Sequence, residues 1–149
     1  MLIRPGRQAD SRKCAEIHME ARAAMSYLPD LHTPAQVVLW MQDVVFANES
    51  VIVAEIDGAV VGYASYSGKF LSNLYVMPGM QRQGVGSSLL DSVFRQMPTD
   101  VAVRVFEANI AAIRFYERHG FRTISRSSGD NQEGLPDRLM KKCPVFPDR

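Results

Sequence analysis

The residues best suited to chemistry lie between Gln81 and Gly86, where the chain reads Gln-Arg-Gln-Gly-Val-Gly. Gly84 and Gly86 lack a Cβ, so the backbone there can take unusual angles and approach a ligand closely. From Val85 onward the apolar residues fall at Val85, Leu89, Leu90, Val93 and Phe94, one face of a helix. The first N–H groups of such a helix have no partner inside it, and its dipole is positive at that end. A turn of this kind can hold a phosphate, and Arg82 sets a cation beside it. Upstream, Leu74, Tyr75 and Val76 are strand formers, and Pro78 with Gly79 stops the strand. The unit is thus strand, glycine turn, helix. No Gly-Lys-Ser/Thr follows, as a Walker A loop requires, and Leu89 stands where a dinucleotide fingerprint needs a third glycine. Taken alone, the stretch also fits an ordinary β–α turn with two permissive glycines.

A second group lies on the segment Asn109–His119. Asn109, Ala112, Ile113 and Tyr116 share one helix face. Ala112 permits close approach, Asn109 carries an amide donor and acceptor, and Tyr116 carries a phenol. A small, polar face suggests that something other than core packs against it. The plainer alternative is an N-cap asparagine and a core tyrosine.

Both groups resemble the GNAT superfamily of N-acyltransferases. Gln81-x-x-Gly84-x-Gly86 looks like that family's acyl-CoA loop, and Asn109-x-x-Ala112-x-x-x-Tyr116-Glu117-x-x-Gly120-Phe121 is similar to its second motif. The resemblance runs from Val51 to Lys142, and the first two helices fit it by placement only. It implies a cofactor, acetyl-CoA, and no metal. The pantetheine arm would bond the backbone of Leu74, Tyr75 and Val76. The pyrophosphate would sit on the turn formed by Gln81, Arg82, Gln83, Gly84, Val85, Gly86 and Ser87. Asn109 would touch the cofactor arm, and Tyr116 would stand near the sulfur.

The reaction so implied is direct transfer of an acetyl group from the thioester to an amine. A free backbone N–H near Tyr75 or Val76 could stabilise the oxyanion. Tyr116, protonated at neutral pH with a usual pKa of about 10, could protonate the leaving thiolate. The amine also needs a base. Some relatives, the ribosomal-protein N-acetyltransferases among them, carry Glu where this chain has Arg104, and others an acid or His where it has Asn73; neither residue is a base. Glu107, Asp30 and His32 stay open as candidates. Acceptor choice would rest on residues 27–32, the second helix and the loop Arg126–Asp137, with Tyr27, Trp40, Asp130, Glu133 and Asp137 suited to a cationic or amphipathic amine. The expected protein is an acetyl-CoA-dependent N-acetyltransferase acting on an amine, a small molecule in preference to a protein. A catalytically inactive acyl-CoA sensor of the same fold is the alternative.

The elements that must position these residues follow from the pattern. Leu2–Arg4 reads as an edge strand. Asp10 or Ser11 caps a helix with Cys14, Ile17, Ala21, Ala24 and Met25 inside. Thr33-Pro34 starts a second helix with Val37, Val38, Met41, Val44 and Val45 inside and Trp40 either in the core or in a pocket wall. Val51–Ile56, Ala59–Tyr66 and Phe70–Val76 form an antiparallel meander, its first turn the hairpin signal Asp57-Gly58. A helix runs to Met97 and ends at Pro98. The strand at Val101, Val103 and Val105 then lies parallel to Leu74–Val76 through a right-handed crossover. Gly120 stops the Asn109–His119 helix, and Phe121–Ser125 with Arg138–Lys142 makes a last hairpin.

The expected fold is α/β (α+β by some schemes), with a central mixed, mostly antiparallel sheet of about six or seven strands. Helices lie on both faces, and by the resemblance the two central parallel strands splay into a V. The chain has 149 residues, 46% hydrophobic and 22% charged, which suits one globular domain over 1–149. A net charge of +1 argues against broad nucleic-acid binding. Met1–Gly6 is no signal peptide, and no apolar run approaches a membrane span, so a cytoplasmic protein without a membrane partner is expected. Cys14 and Cys143 have no metal-type spacing and read as free thiols. A homodimer through an unpaired edge strand is a further arrangement the pattern allows.

Overall fold

A computed structural model describes residues 1–97 and 100–142. Pro98, expected to stop a helix, and Cys143 lie outside the described residues. Among those described, seven strands form one sheet in the order β1-β2-β3-β4-β5-β7-β6. The strands are β1 (Leu2–Pro5), β2 (Ser50–Ile56), β3 (Ala59–Ser67), β4 (Phe70–Val76), β5 (Ala102–Phe106), β6 (Phe121–Ser127) and β7 (Asp137–Lys142). Only β4 and β5 pair in parallel; every other neighbour is antiparallel. The Asp57-Gly58 turn joins β2 to β3 with φ of 53° and 80°, the doubly positive form that matches strand twist. The last hairpin forms as expected, and it is β7 that takes the inner place against β5.

The helices are α1 (Ser11–Ala23), α2 (Pro34–Trp40), α3 (Phe46–Asn48), α4 (Val85–Gln96) and α5 (Ile110–Arg118). They divide the core between the two sheet faces. On one face α4 and α5 bury Val85, Leu89, Leu90, Val93, Ile113 and Tyr116 against Ile52, Val61, Leu71, Val103 and Val105. On the other, α1 buries Cys14, Ala15 and Ile17 against Val51, Val53, Val60 and Tyr63. Each such apolar side chain contributes about 1.5–3 kcal/mol by leaving water. Burial pushes the Cys14 thiol up to about 12, the mark of a packing residue.

Three local expectations are corrected. Asp10 occupies the N-cap position of α1 but does not cap it. Its carboxylate instead takes the Arg7 N–H at 2.8 Å and two Arg4 guanidinium bonds, because a partly buried charge is better met by a cation. α1 ends at Ala23, so Ala24 is exposed and lies past the apolar stripe. The second helix contains a π turn at Met41–Val45 between α2 and α3. The wider turn shifts the inner face by one residue. Met41 and Val45 are buried, and Val44, expected inside, is 45% exposed.

Candidate active site

β4 pairs with β3 along its length but with β5 only at Phe70–Ala102 and Leu71–Val103. β5 itself stays paired with β7 through Phe106. The sheet therefore parts between β4 and β5, leaving that edge of β4 unpaired from Ser72 to Val76. A bulge marks the parting. The register passes from Tyr66–Leu71 to Ser65–Asn73 and skips Ser72, which bends and twists the strand. The extra residue also resets side-chain parity. Leu71, Leu74 and Val76 pack with the α4/α5 core, while Tyr75 and Met77 join the α1 side.

The glycine turn lies at the open end of this gap. Gly84 is the N-cap of α4 with φ of 78°, a conformation glycine takes without strain. No side chain caps the helix, so its first N–H groups face outward unmet by a side chain. Arg82 holds φ of 68° and has no partner among the described residues. That backbone state costs a non-glycine residue about 1–2 kcal/mol, and such strain collects at functional sites. Gln81, Arg82, Gln83 and Gly84 are exposed, Val85 is buried in the core, and Gly86 and Ser87 are half-buried. A Cβ at Gly86 would touch the Phe115 ring at 3.5 Å and Val76 at 3.9 Å. The turn, the end of β4 and α5 thus converge.

A glycine that the sequence pattern does not single out brings them together. A Cβ on Gly62 of β3 would meet Val85 Cγ1 at 3.0 Å, Leu89 Cδ1 at 3.2 Å and the Tyr75 carbonyl oxygen at 3.2 Å. Only a residue without that atom lets α4 settle this close to the sheet.

On α5, Asn109 is the N-cap, and its Oδ1 accepts the Ala112 N–H at 3.1 Å. Its Nδ2 has no partner among the described residues. Tyr116 is 6% exposed, with its ring against Phe115 and Phe121. Its hydroxyl likewise has no hydrogen-bond partner among the described residues. Burial, with a further effect from the nearby Tyr75 phenol, holds its pKa well above the usual tyrosine value. The phenol stays protonated across the physiological range. Ile113 between them is core, so this face is polar at its start and apolar beyond.

The opposite side of the gap opens into a cleft of about 800 Å³. Its walls come from α1, the segment 25–32, α2, Asn73 of β4, and Gln132 and Glu133 of the loop before β7. Trp40 fits both of its readings, forming part of the wall while packing against the core on the α1 side. Its ring lies 5.0 Å from that of His18, which also meets Tyr75 at 4.7 Å. His18 Nδ1 lies 2.8 Å from the Tyr63 hydroxyl. Burial, aided by the Arg22 charge, lowers the His18 pKa to about 3, so the ring is neutral. Tyr63 is fully buried, and the contact with Nδ1 satisfies its hydroxyl. Arg22, one turn along α1, donates to the Tyr75 hydroxyl at 3.3 Å and to Glu133 Oε2 at 2.9 Å.

The open candidates for a base are dispersed. Glu107 is bound by Arg138 and lies 3.5 Å from Arg126, and the Arg138 hydrogen bonds hold its carboxyl below the usual range. Asp30 and His32 lie on the exposed rim of the cleft. Asn73 is buried, donating to Ser65 Oγ at 2.8 Å. The Arg104 side chain is 54% exposed and 3.8 Å from Asp137 Oδ1. Of the acidic loop residues, Asp130 is exposed, Asp137 is buried beside Asn131, and only Glu133 reaches the cleft. Tyr27 packs on Phe106. His18 and Arg22 escape the pattern analysis. Their signal is their i, i+4 spacing beside the apolar stripe of α1.

The site is thus a mixed sheet that parts at its one parallel pair, beside a helix N-terminus that no side chain caps. The chain belongs to the Acetyltransferase (GNAT) family, whose family model matches residues 14–121. It is 32% identical over 101 residues to the peptidyl-lysine N-acetyltransferase YiaC of Escherichia coli K12, a match covering 67% of this chain and 68% of that protein. Its fold is similar to a GCN5-related N-acetyltransferase from Rhodopseudomonas palustris, with TM-score 0.77, 20% identity, and 95% and 94% of the two chains covered. It is also similar to the yncA protein of Salmonella typhimurium, solved with its cofactor acetyl-CoA, with TM-score 0.75, 22% identity, and 99% and 98% covered. Among the described residues, no helix is long and apolar enough to cross a membrane.

Proposed function

We propose that this acetyltransferase moves an acetyl group from acetyl-CoA directly to a primary amine held in the cleft beside Asn73. The observation that carries the reading is the parting of β4 from β5 next to the uncapped N-terminus of α4. The unpaired edge from Ser72 to Val76 offers backbone groups to an extended amide-bearing arm. The first turn of α4 and Arg82 suit a pyrophosphate. These residues fit the cosubstrate, and the thioester it supplies is the activated acyl group. In this reading Leu74, Tyr75 and Val76 present the gap edge, Gln81–Ser87 the phosphate turn, and Asn109 a free amide donor to the arm. Tyr116, buried and protonated, gives its proton to the leaving thiolate.

The acceptor is a primary amine, free or on a lysine side chain. The cleft's mixture of apolar walls and scattered polar groups suits an amphipathic one. Calorimetric titration with acetyl-CoA tests the cofactor half, comparing the native protein with Gly86→Asp. The new Cβ has ordinary room beside Phe115, and its carboxylate would oppose the pyrophosphate; circular dichroism checks that the variant is folded. Binding by the native protein and at least a tenfold loss in the variant is expected, since one repulsive charge near 1.4 kcal/mol is about tenfold. No binding by the folded native protein overturns the reading.

A further inference from the structure

The geometry points to Glu133 as the base that takes the proton from the acceptor amine, with Arg22 as the positioning residue that sets it there. This inference rests on the acetyltransferase reading above. The Arg22 guanidinium bridges two elements far apart in sequence. Its Nη1 donates to the Tyr75 hydroxyl on β4, just past the point where the sheet parts, and its Nη2 donates to Glu133 Oε2. One guanidinium thus fixes the distance between the carboxylate and the β4 segment that faces the gap. The Glu133 side chain is 15% exposed and lines the cleft. Only Oε2 is engaged; Oε1 has no partner among the described residues and can accept from an ammonium.

The loop carrying Glu133 is built to present it. Asn131 bonds the Leu135 N–H at 3.1 Å, the Leu135 carbonyl at 2.6 Å and Asp137 at 3.3 Å, and Ser127 accepts the N–H groups of Gly129 and Asp130. The loop is held internally, and its one ion pair across the cleft is the bond to Arg22 among the described residues. The competing groups are accounted for. His18, on the same wall, is held neutral by its burial and the Arg22 charge and is too weak a base. Asn73 and Arg104 cannot accept the proton, and Glu107 is engaged by two arginines.

The step balances as follows. An ammonium gives one proton to Glu133 Oε1, and the free amine nitrogen attacks the thioester carbonyl carbon. The C–N bond forms and the C–S bond breaks. The second nitrogen proton passes to water as the amide forms; Tyr116 protonates the thiolate, and its phenolate takes a proton back from water, so that one proton net is released. Glu133 then releases its proton to water. The charged and titratable groups that line the cleft with Glu133 are His18 and Arg22 from α1 and Asp30 and His32 from the segment after α1, and Arg22 links it to Tyr75 of β4.

The test measures CoA release with acetyl-CoA across a panel of lysine hexapeptide, phenethylamine and spermidine, over a range of pH. Glu133→Gln is expected to lower kcat by about 100-fold or more, to leave acetyl-CoA affinity unchanged, and to flatten the acidic limb of the pH profile. Glu133→Asp restores part of kcat and the limb. Arg22→Lys, which cannot hold both partners in a planar fork, raises KM more than it lowers kcat. Glu133→Gln with native kcat and an unaltered pH profile overturns the inference and leaves the enzyme reading intact. A folded native protein that turns over no amine of the panel overturns both.

Discussion

Gly62 gives the sharpest test of how the fold builds the site. Gly62→Ala adds one methyl group where three atoms crowd it, at 3.0, 3.2 and 3.2 Å. Two of them, Val85 Cγ1 and Leu89 Cδ1, belong to the first turns of α4, and the third is the carbonyl oxygen of Tyr75. A normal carbon contact needs about 3.5–4.0 Å, so α4 must move outward by several tenths of an ångström. Overpacking of this kind costs about 1–3 kcal/mol. Gly62 is not among the residues with positive φ, so alanine suits its backbone and returns about 0.5–1 kcal/mol of strand propensity. The net loss is about 0–2.5 kcal/mol, a Tm shift of up to about 10 °C for a domain of this size. Because the displaced atoms flank the glycine turn and β4, acetyl-CoA affinity should fall by more than stability alone predicts, about three- to tenfold. Thermal unfolding and calorimetry measure the two effects. A variant with unchanged or raised Tm and native affinity refutes the claim that close approach at Gly62 sets the turn.

Two further outcomes follow from the buried rings. Tyr116→Phe should reduce turnover by about 100-fold or more while acetyl-CoA affinity stays near native; equal turnover removes Tyr116 from the acid role. Its raised pKa also carries a stability signature. The folded state keeps this proton above pH of about 10, where the unfolded chain loses it, so stability falls as pH rises past that point, and Tyr116→Phe makes the slope shallower, the buried Tyr63 keeping its own share. His18 acts at the other end. Its pKa is lowered to about 3, so its contribution is whole above about 6.5 and is lost as pH falls toward 3, by up to about 1.4 kcal/mol per unit. Urea unfolding at pH 7 and 5 should show this loss in the native protein and a smaller one in His18→Gln; identical losses exclude His18 as the source.

What the sequence alone determined is local. The alternation of Val101, Val103 and Val105, the Asp57-Gly58 hairpin, and the Thr33-Pro34 cap are short-range signals, and the structure carries each as a strand, turn or helix start. The capping box at Thr33 is met by Gln36 at 3.2 and 2.8 Å. The strand–turn–helix unit around Gly84 is equally local, because a φ of 78° and an uncapped helix start depend on neighbouring residues only. The π turn was invisible, since one extra residue in a helix costs the pattern only a small phase shift, and it moved Val44 outward. Asp10 was misread because its cap role competes with Arg4, a partner set by β1.

Tertiary structure decided the rest. The bulge at Ser72 and the parting of β4 from β5 beyond Leu71–Val103 are set by the packing of whole strands, which no local pattern encodes. The cleft joins His18, Arg22, Trp40, Asn73 and Glu133, which are spread from the first helix to the last loop. The Arg22–Glu133 bond spans 111 positions of chain. Side-chain charge and spacing mark a residue as able to do chemistry, and only packing brings it within hydrogen-bond reach of another, because a contact's energy depends on distance in space while the sequence records distance along the chain.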